Sequence, residues 1–249
     1  DLIAKIPAGA DWMLADVVGS EKIDDFAWDL VQNGLKESLS EPAAVFAGDV
    51  EKTQALADGL LMSGFAMQAM GSSRPASGTE HQVSHYWDME DLSFGGRPVS
   101  HGFKVGIGTL FSTKVLEFIL RRDLSKLDVE NAVAMWPSAF DALKATFPAI
   151  YGGRPAHIRR AEGEMAKKYS TPDRLREELS AFRRVWPELS ERIKGETYAA
   201  TFDLSAEMMV KTAEMVLEMA QRQVEQKKDG ILLVNSLTKL CKACNIAAP

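Results

Sequence analysis

Three of the four histidines in this 249-residue chain lie within one stretch, GSSRPASGTEHQVSHYWDMEDLSFGGRPVSHGFKVGIG, from Gly71 to Gly108. His81 and His85 are four positions apart, and on a helix that step puts two side chains on one face, about one turn apart. Ser77 precedes Glu80 by three positions, the sequence form of a capping box, and this starts a helix near Gly78 with both histidines in its first two turns. His101 follows Gly95, Gly96 and Pro98, so a turn separates it from the first helix, and it opens a second helical run, HGFKVGIGTLFSTKVLEFILRR. Neutral imidazole is a common ligand of borderline transition metals, and a catalytic site takes about three protein ligands with one position left open. Two or three histidines here would need a carboxylate beside them. On spacing alone, two surface histidines and one at a helix start explain the pattern equally well.

The loop from Met70 to Gly78 has the composition of an anion-binding turn. Glycine and serine let backbone amides come close to a ligand, and the helix start that follows carries partial positive charge. Arg74 would add a charge-assisted contact. Lys104, one turn beyond His101, is either structural or reaches toward a phosphate. Gly106 and Gly108 form only a G-x-G inside a helical run with no strand before it, which excludes a dinucleotide fingerprint and points to close helix approach. Tyr86 and Trp87 read as wall or packing residues, and His157 carries no role.

The residues GSSRPASGTEHQVSHYWDM, followed by HGFKVGIGT at His101 to Thr109, resemble the metal-binding core of the glycerol-1-phosphate dehydrogenases. These belong to the larger group of glycerol dehydrogenases, iron-dependent alcohol dehydrogenases and dehydroquinate synthases. The family's third ligand is the Asp of a GD-x-(L/I)-x-K segment leading into A-x-A-D-W, and this chain begins DLIAKIPAGADW. The resemblance therefore implies metal ligation by Asp1, His81 and His101, with His85 catalytic and facing the substrate. Asp1, His85, Arg74 and Lys104 are the residues expected to bind substrate. It further implies a divalent metal (zinc first, with nickel or iron as alternatives) and NAD or NADP. The substrate would be a small phosphorylated triose or polyol. The implied activity interconverts dihydroxyacetone phosphate and sn-glycerol 1-phosphate, a reaction of phospholipid biosynthesis, and a homodimer is compatible with it. The resemblance covers nearly the whole chain but not the family's N-terminal nucleotide-binding α/β domain. Residues 1–249 are thus expected to be one helical metal- and substrate-binding domain, the C-terminal part of a two-domain enzyme and inactive in isolation. Glycerol dehydrogenase or another metal-dependent alcohol dehydrogenase is the first alternative, and a non-catalytic helical binding module the second.

These residues need a scaffold, and the sequence expects an all-α one. Hydrophobic periodicity predicts helices over Ile3 to Leu14, interrupted by Pro7, and over Glu21 to Leu39. A third, Glu51 to Met70, is apolar enough (Leu56, Leu60, Leu61, Phe65, Met67, Met70) to be expected central and buried. After the second histidine helix come Val129 to Phe147, Pro155 to Tyr169, Pro172 to Ile193, Leu204 to Lys227 and Ile231 to Ala243. No alternating strand pattern or fixed repeat is seen. The segment Pro148 to Pro155 is the best candidate for a subdomain joint, with the helices on both sides expected to share one core.

Composition bounds the rest. With 46% hydrophobic and 26% charged residues the chain is a soluble globular one, and disorder is not expected. A net charge of -6 argues against nucleic acid as the main partner. No apolar run reaches the eighteen residues of a membrane span, and no signal peptide opens the chain, so a cytoplasmic location is expected. Cys241 and Cys244 form one C-x-x-C in helical surroundings and read as two reduced thiols.

Overall fold

The computed structural model describes residues 1–198 except 90, 95 and 168. The described residues are almost wholly helical, as expected. The helices expected beyond residue 203, and Cys241 and Cys244, lie outside them. Among the described residues no helix is long and apolar enough to cross a membrane. Two compact units emerge: residues 1–16, 20–122 and 189–198 form the first, and residues 17–19 and 123–188 the second. The boundaries fall near 122 and 188, not at the Pro148 to Pro155 stretch, which lies inside the second unit. That stretch turns the chain through Gly152 and Gly153, but helices on both sides of it share one unit.

The first unit begins with a 3-10 turn at Leu2–Ala4 and continues as α1, Lys5–Val17. Pro7 sits in the first turn of α1, where a missing N–H costs no hydrogen bond, so the expected interruption is this change of helix type. The expected helix from Glu21 to Leu39 is two shorter ones, α2 (Asp25–Gln32) and α3 (Leu35–Ser38). Gly34, at φ 79°, takes a backbone conformation that a helix cannot continue through, and the periodicity hid it because the apolar spacing resumes in phase at Leu35. Asp24 caps α2 by accepting from the Ala27 N–H at 2.8 Å.

After α4 (Pro42–Phe46), α5 runs from Val50 to Met70, close to its expected span, but it is not the buried central helix its composition predicts. Leu60, Leu61, Met62 and Phe65 are exposed; Leu56 and Met70 pack against the core at its two ends, and between them the face turned inward is made of small residues. Gly59 lies against Leu2, whose nearest carbon would be 3.0 Å from an added Cβ. Ser63 is buried, and Ala66 joins Trp12, Ala27 and Val31 in the core. Positions 59, 63 and 66 share one helical face. The bulk that fills this core comes from α1, whose Trp12 packs on Trp28 at 5.9 Å between ring centroids. Burying each large apolar side chain is worth roughly 1.5–3 kcal/mol, so α1 takes the interior and α5 supplies the room.

Two long helices carry the histidines: α6, Thr79–Met89, and α7, His101–Leu120. Between them lies a two-residue hairpin the sequence did not predict, β1 (Ser93–Phe94) antiparallel to β2 (Arg97–Pro98), too short for an alternating pattern to register. Helices α6 and α7 approach closely through small and polar side chains. Ser84, Thr109 and Ser112 are all buried, and an added Cβ at Gly108 would stand 2.2 Å from the Glu80 carbonyl oxygen. Gly106 meets nothing within 4 Å, so the close approach expected of the glycine pair belongs to Gly108 alone.

In the second unit α8 (Val129–Lys144), α10 (Pro155–Lys167) and most of α11 (Pro172–Arg192) follow the expected spans with small shifts, and the short α9 (Phe147–Ile150) is a helix that the sequence did not predict. Trp136, Phe140 and Tyr169 pack ring on ring, and Trp136 Nε1 donates to the Ser170 carbonyl at 3.2 Å. The mixed charges of α11 lie largely in solvent, where Arg176 forks onto Glu130 at 2.7 and 3.1 Å.

Candidate metal centre

The first unit brings Asp1, His81 and His101 together. One ligand atom from each lies within 4.8 Å of the others. Asp1 Oδ1 is 3.5 Å from His81 Nε2, and the His81 and His101 rings stand 5.2 Å apart at 50°. Three elements converge to do this: the turn before α1 supplies Asp1, the first turn of α6 supplies His81, and the first residue of α7 is His101.

The first turn of α6 is fixed from two sides. Asp11 Oδ2, on α1, accepts from the Thr79 N–H at 3.0 Å and from the Thr79 hydroxyl at 3.2 Å, so α1 caps α6 across the core. Glu80 Oε1 accepts from the Gly78 N–H at 2.6 Å, which is the back-bonding of a capping box moved one residue along, since Gly78 and not Ser77 precedes the helix. The same Oε1 is 2.8 Å from His81 Nδ1. Glu80 is fully buried, and its Oε2 has no hydrogen-bond partner among the described residues.

The donor arrangement bears on a cation. Glu80 Oε1 already accepts from a backbone N–H, so the ring nitrogen facing it must be the donor, Nδ1–H. In a neutral imidazole Nε2 is then a bare acceptor, and it faces another acceptor, Asp1 Oδ1, at 3.5 Å. Two acceptors held together repel unless a proton or cation lies between them. Ligands of a tetrahedral zinc at its usual bond lengths sit about 3.4 Å apart, so this pair is spaced as two such ligands would be, and His101 offers a third ligand atom within 4.8 Å. Burial, reinforced by the nearby His81 and Lys104, holds His101 below the ordinary imidazole value, which favours the neutral ring that can coordinate a cation.

Lys5 is the site residue that reasoning from spacing missed. Its side chain is buried, and its Nζ donates to Asp1 Oδ1 at 3.1 Å and to the Ala76 carbonyl at 2.8 Å. It holds the carboxylate in place and ties the Met70 to Gly78 loop to α1. The sequence did carry a signal, since Lys5 is the lysine of the D-x-(L/I)-x-K pattern, but no periodicity marks a lysine as buried. Desolvation depresses its pKa from 10.5 to about 8, against the opposing pull of Glu80. Between those two values the unfolded chain holds a proton that the folded one has released, so this group makes stability rise with pH from about 8 to about 10.5. The rise amounts to about 3 kcal/mol at most. Denaturant melts of the metal-free protein across this range should show it in the wild type and not in Lys5→Met; equal slopes in the two would contradict the assignment.

The remaining expected residues are placed as follows. His85 is exposed on α6, one turn from His81 and near enough to His101 that its charge bears on that ring. Arg74 is held by its own neighbours: Nη1 and Nη2 donate to Asp11 at 3.2 and 3.1 Å, and Nε pairs with Glu21 at 2.7 Å. Lys104 is buried and paired with Asp88. Trp87 is buried, as its packing role requires.

No family model matches the chain. Individual proteins do. The chain is 32% identical over 180 residues to a glycerol-1-phosphate dehydrogenase [NAD(P)+] of Geobacillus stearothermophilus, covering 72% of this chain and 41% of that protein. It is 39% identical over 109 residues to the enzyme of the same name from Geobacillus thermodenitrificans, covering 44% of this chain and 27% of the relative. The corresponding protein of Korarchaeum cryptofilum is 38% identical over 110 residues, 44% of this chain and 35% of its own length. The chain thus spans well under half the length of the curated relatives it matches. Over its matched residues this chain is thus similar to part of several proteins of one name, the glycerol-1-phosphate dehydrogenases [NAD(P)+].

Proposed function

We propose that this chain is the helical, metal-binding C-terminal part of an NAD(P)-linked oxidoreductase that interconverts dihydroxyacetone phosphate and sn-glycerol 1-phosphate. The observation that carries the reading is the convergence of Asp1, His81 and His101, one possible ligand atom of each lying within 4.8 Å of the others. The names of the relatives support the substrate and the cofactor. When bound, a divalent ion held by Asp1, His81 and His101 polarises the substrate carbonyl and the nicotinamide supplies the hydride. Zinc suits two imidazoles and a carboxylate, and nickel and iron(II) bind the same set.

The chain's own residues have distinct tasks in this reading. Lys5 keeps the Asp1 carboxylate aimed inward, and Glu80 does the same for the His81 ring. His85, exposed and one turn from His81, contacts the bound substrate and passes a proton to or from its oxygen. In the full-length protein His85→Ala therefore retains metal but loses about a hundredfold or more in kcat, the scale of one general acid–base group. Metal content and turnover measured on the same preparation check this, and loss of metal would make His85 a ligand.

One observation favours a second reading. Arg74 and Lys104, the cations expected to meet a phosphate, are each engaged by carboxylates, Arg74 by Asp11 and Glu21 and Lys104 by Asp88. An alcohol dehydrogenase acting on glycerol would need neither cation free. Comparing NAD(P)H-dependent reduction of dihydroxyacetone phosphate with that of dihydroxyacetone separates the two. Preference for the phosphorylated ketone supports the proposal, and equal or better turnover of the unphosphorylated one overturns it.

A further inference from the structure

We infer that Glu80 is a positioning residue that locks His81 in the Nδ1–H tautomer and aims its Nε2 lone pair at the space shared with Asp1 and His101. The inference deepens the metal reading above and rests on it only for its consequence for metal affinity.

Four observations carry it. A carboxylate can only accept, and Glu80 Oε1 takes the Gly78 N–H at 2.6 Å, so with Glu80 as a carboxylate the 2.8 Å contact to His81 Nδ1 forms with the proton on Nδ1. A histidine free to choose would put its proton on Nε2, where Asp1 Oδ1 waits at 3.5 Å; the carboxylate behind the ring prevents that choice. The carboxylate is also costly to keep. It is fully buried with Oε2 unpartnered, an arrangement a folded protein sheds unless the charge has a use. Finally, the backbone is cut to fit it. A Cβ at Gly78 would stand 3.0 Å from Glu80 Oε2, and α7 passes so near the Glu80 backbone that only glycine fits at 108. Space for the side chain and for its main chain is thus set by two separate glycines.

The lock has two effects on His81. It fixes the ring's rotation, so the ligand is preorganised, and it places negative charge behind the ring, which makes Nε2 a stronger donor to a cation. Removing an outer partner of this kind costs on the order of tenfold to a hundredfold in metal affinity.

The test uses the full-length protein, metal-free, with nitrogen-15 in its histidines. Long-range proton–nitrogen correlation spectra at pH 8 read the His81 tautomer directly, and zinc affinity is read by competition with a chromogenic chelator. In the wild type His81 is expected protonated at Nδ1 and bare at Nε2. Glu80→Gln keeps an acceptor but not the charge, so the tautomer holds while zinc binds about ten to a hundred times more weakly. Glu80→Leu removes the acceptor and the tautomers mix. A wild-type His81 protonated at Nε2 overturns the inference, as does a Glu80→Gln variant with unchanged zinc affinity. Should Glu80→Leu fail to fold, the wild-type tautomer and the Glu80→Gln affinity still decide. A wild type that shows the Nδ1–H tautomer but takes up no zinc leaves the lock standing and removes the metal reading instead.

Discussion

His81→Ala and His101→Ala are each expected to strip stoichiometric metal from the full-length protein while its helices stay formed. In the proposed site each would delete one of three ligands, and a three-ligand site has none to spare. Loss of an outer partner already costs about tenfold to a hundredfold, so loss of a ligand costs more, and metal is removed by ordinary dialysis. The fold tolerates the change unequally. His101 is exposed at the first residue of α7, where alanine is acceptable, whereas His81 is buried between Asp1 and Glu80. His81→Ala also leaves Glu80 Oε1 with only the Gly78 N–H as partner, which costs roughly 1–3 kcal/mol beyond the metal effect. Metal analysis by mass spectrometry beside circular dichroism is the measurement. Undiminished metal in both variants would remove His81 and His101 as ligands.

Gly108→Ala should be the most disruptive single methyl in the described chain. In the middle of a helix such a change ordinarily helps, by about 1 kcal/mol. Here the added Cβ would stand 2.2 Å from the Glu80 carbonyl oxygen, 2.9 Å from its carbonyl carbon and 3.1 Å from its Cα. Every one of those atoms is backbone, so no rotamer change relieves the clash, and α6 must move away from α7. Forced overpacking of this kind costs typically about 1–3 kcal/mol, occasionally more. The displacement also carries His81 away from His101, so metal affinity falls together with stability. Gly106→Ala, two residues away on the same helix with nothing within 4 Å, is the control and is expected to stabilise by up to about 1 kcal/mol. Thermal melts of both variants with and without zinc decide the matter. Gly108→Ala melting at or above the wild type would mean that the two helices are not in backbone contact there.

Local chemistry in the sequence determined which residues make helices, and it did so well where a helix has a chemical beginning. Ser77 to Glu80 marked the start of α6 to within a residue or two, and Pro155 and Pro172 marked α10 and α11. The histidine spacing, with the family resemblance, also proposed the residues that the fold brings together. What spacing could not decide was which face of a helix turns inward. Apart from Leu56 and Met70, which pack against the core, the middle of helix α5 carries its large apolar residues outward and its glycine, serine and alanine inward, because the volume beside it is taken by Trp12 and Leu2 of another part of the chain. Hydrophobicity ranks residues singly, whereas packing is a property of pairs. The same limit hid Lys5 and the true role of Glu80. Glu80 finds its partners among its own neighbours, Gly78 and His81, but the burial of both residues comes from α1, α6, α7 and the loop between α5 and α6 meeting in space, with bonds that span 71 residues from Lys5 to Ala76 and 68 from Asp11 to Thr79. The types of the candidate ligands, and the Glu80 acceptor beside His81, were written locally; the approach of Asp1 to His81, the bond from Lys5 to Ala76 and the tether of Arg74 to Asp11 were decided only by tertiary contact, because no neighbouring residue supplies those partners.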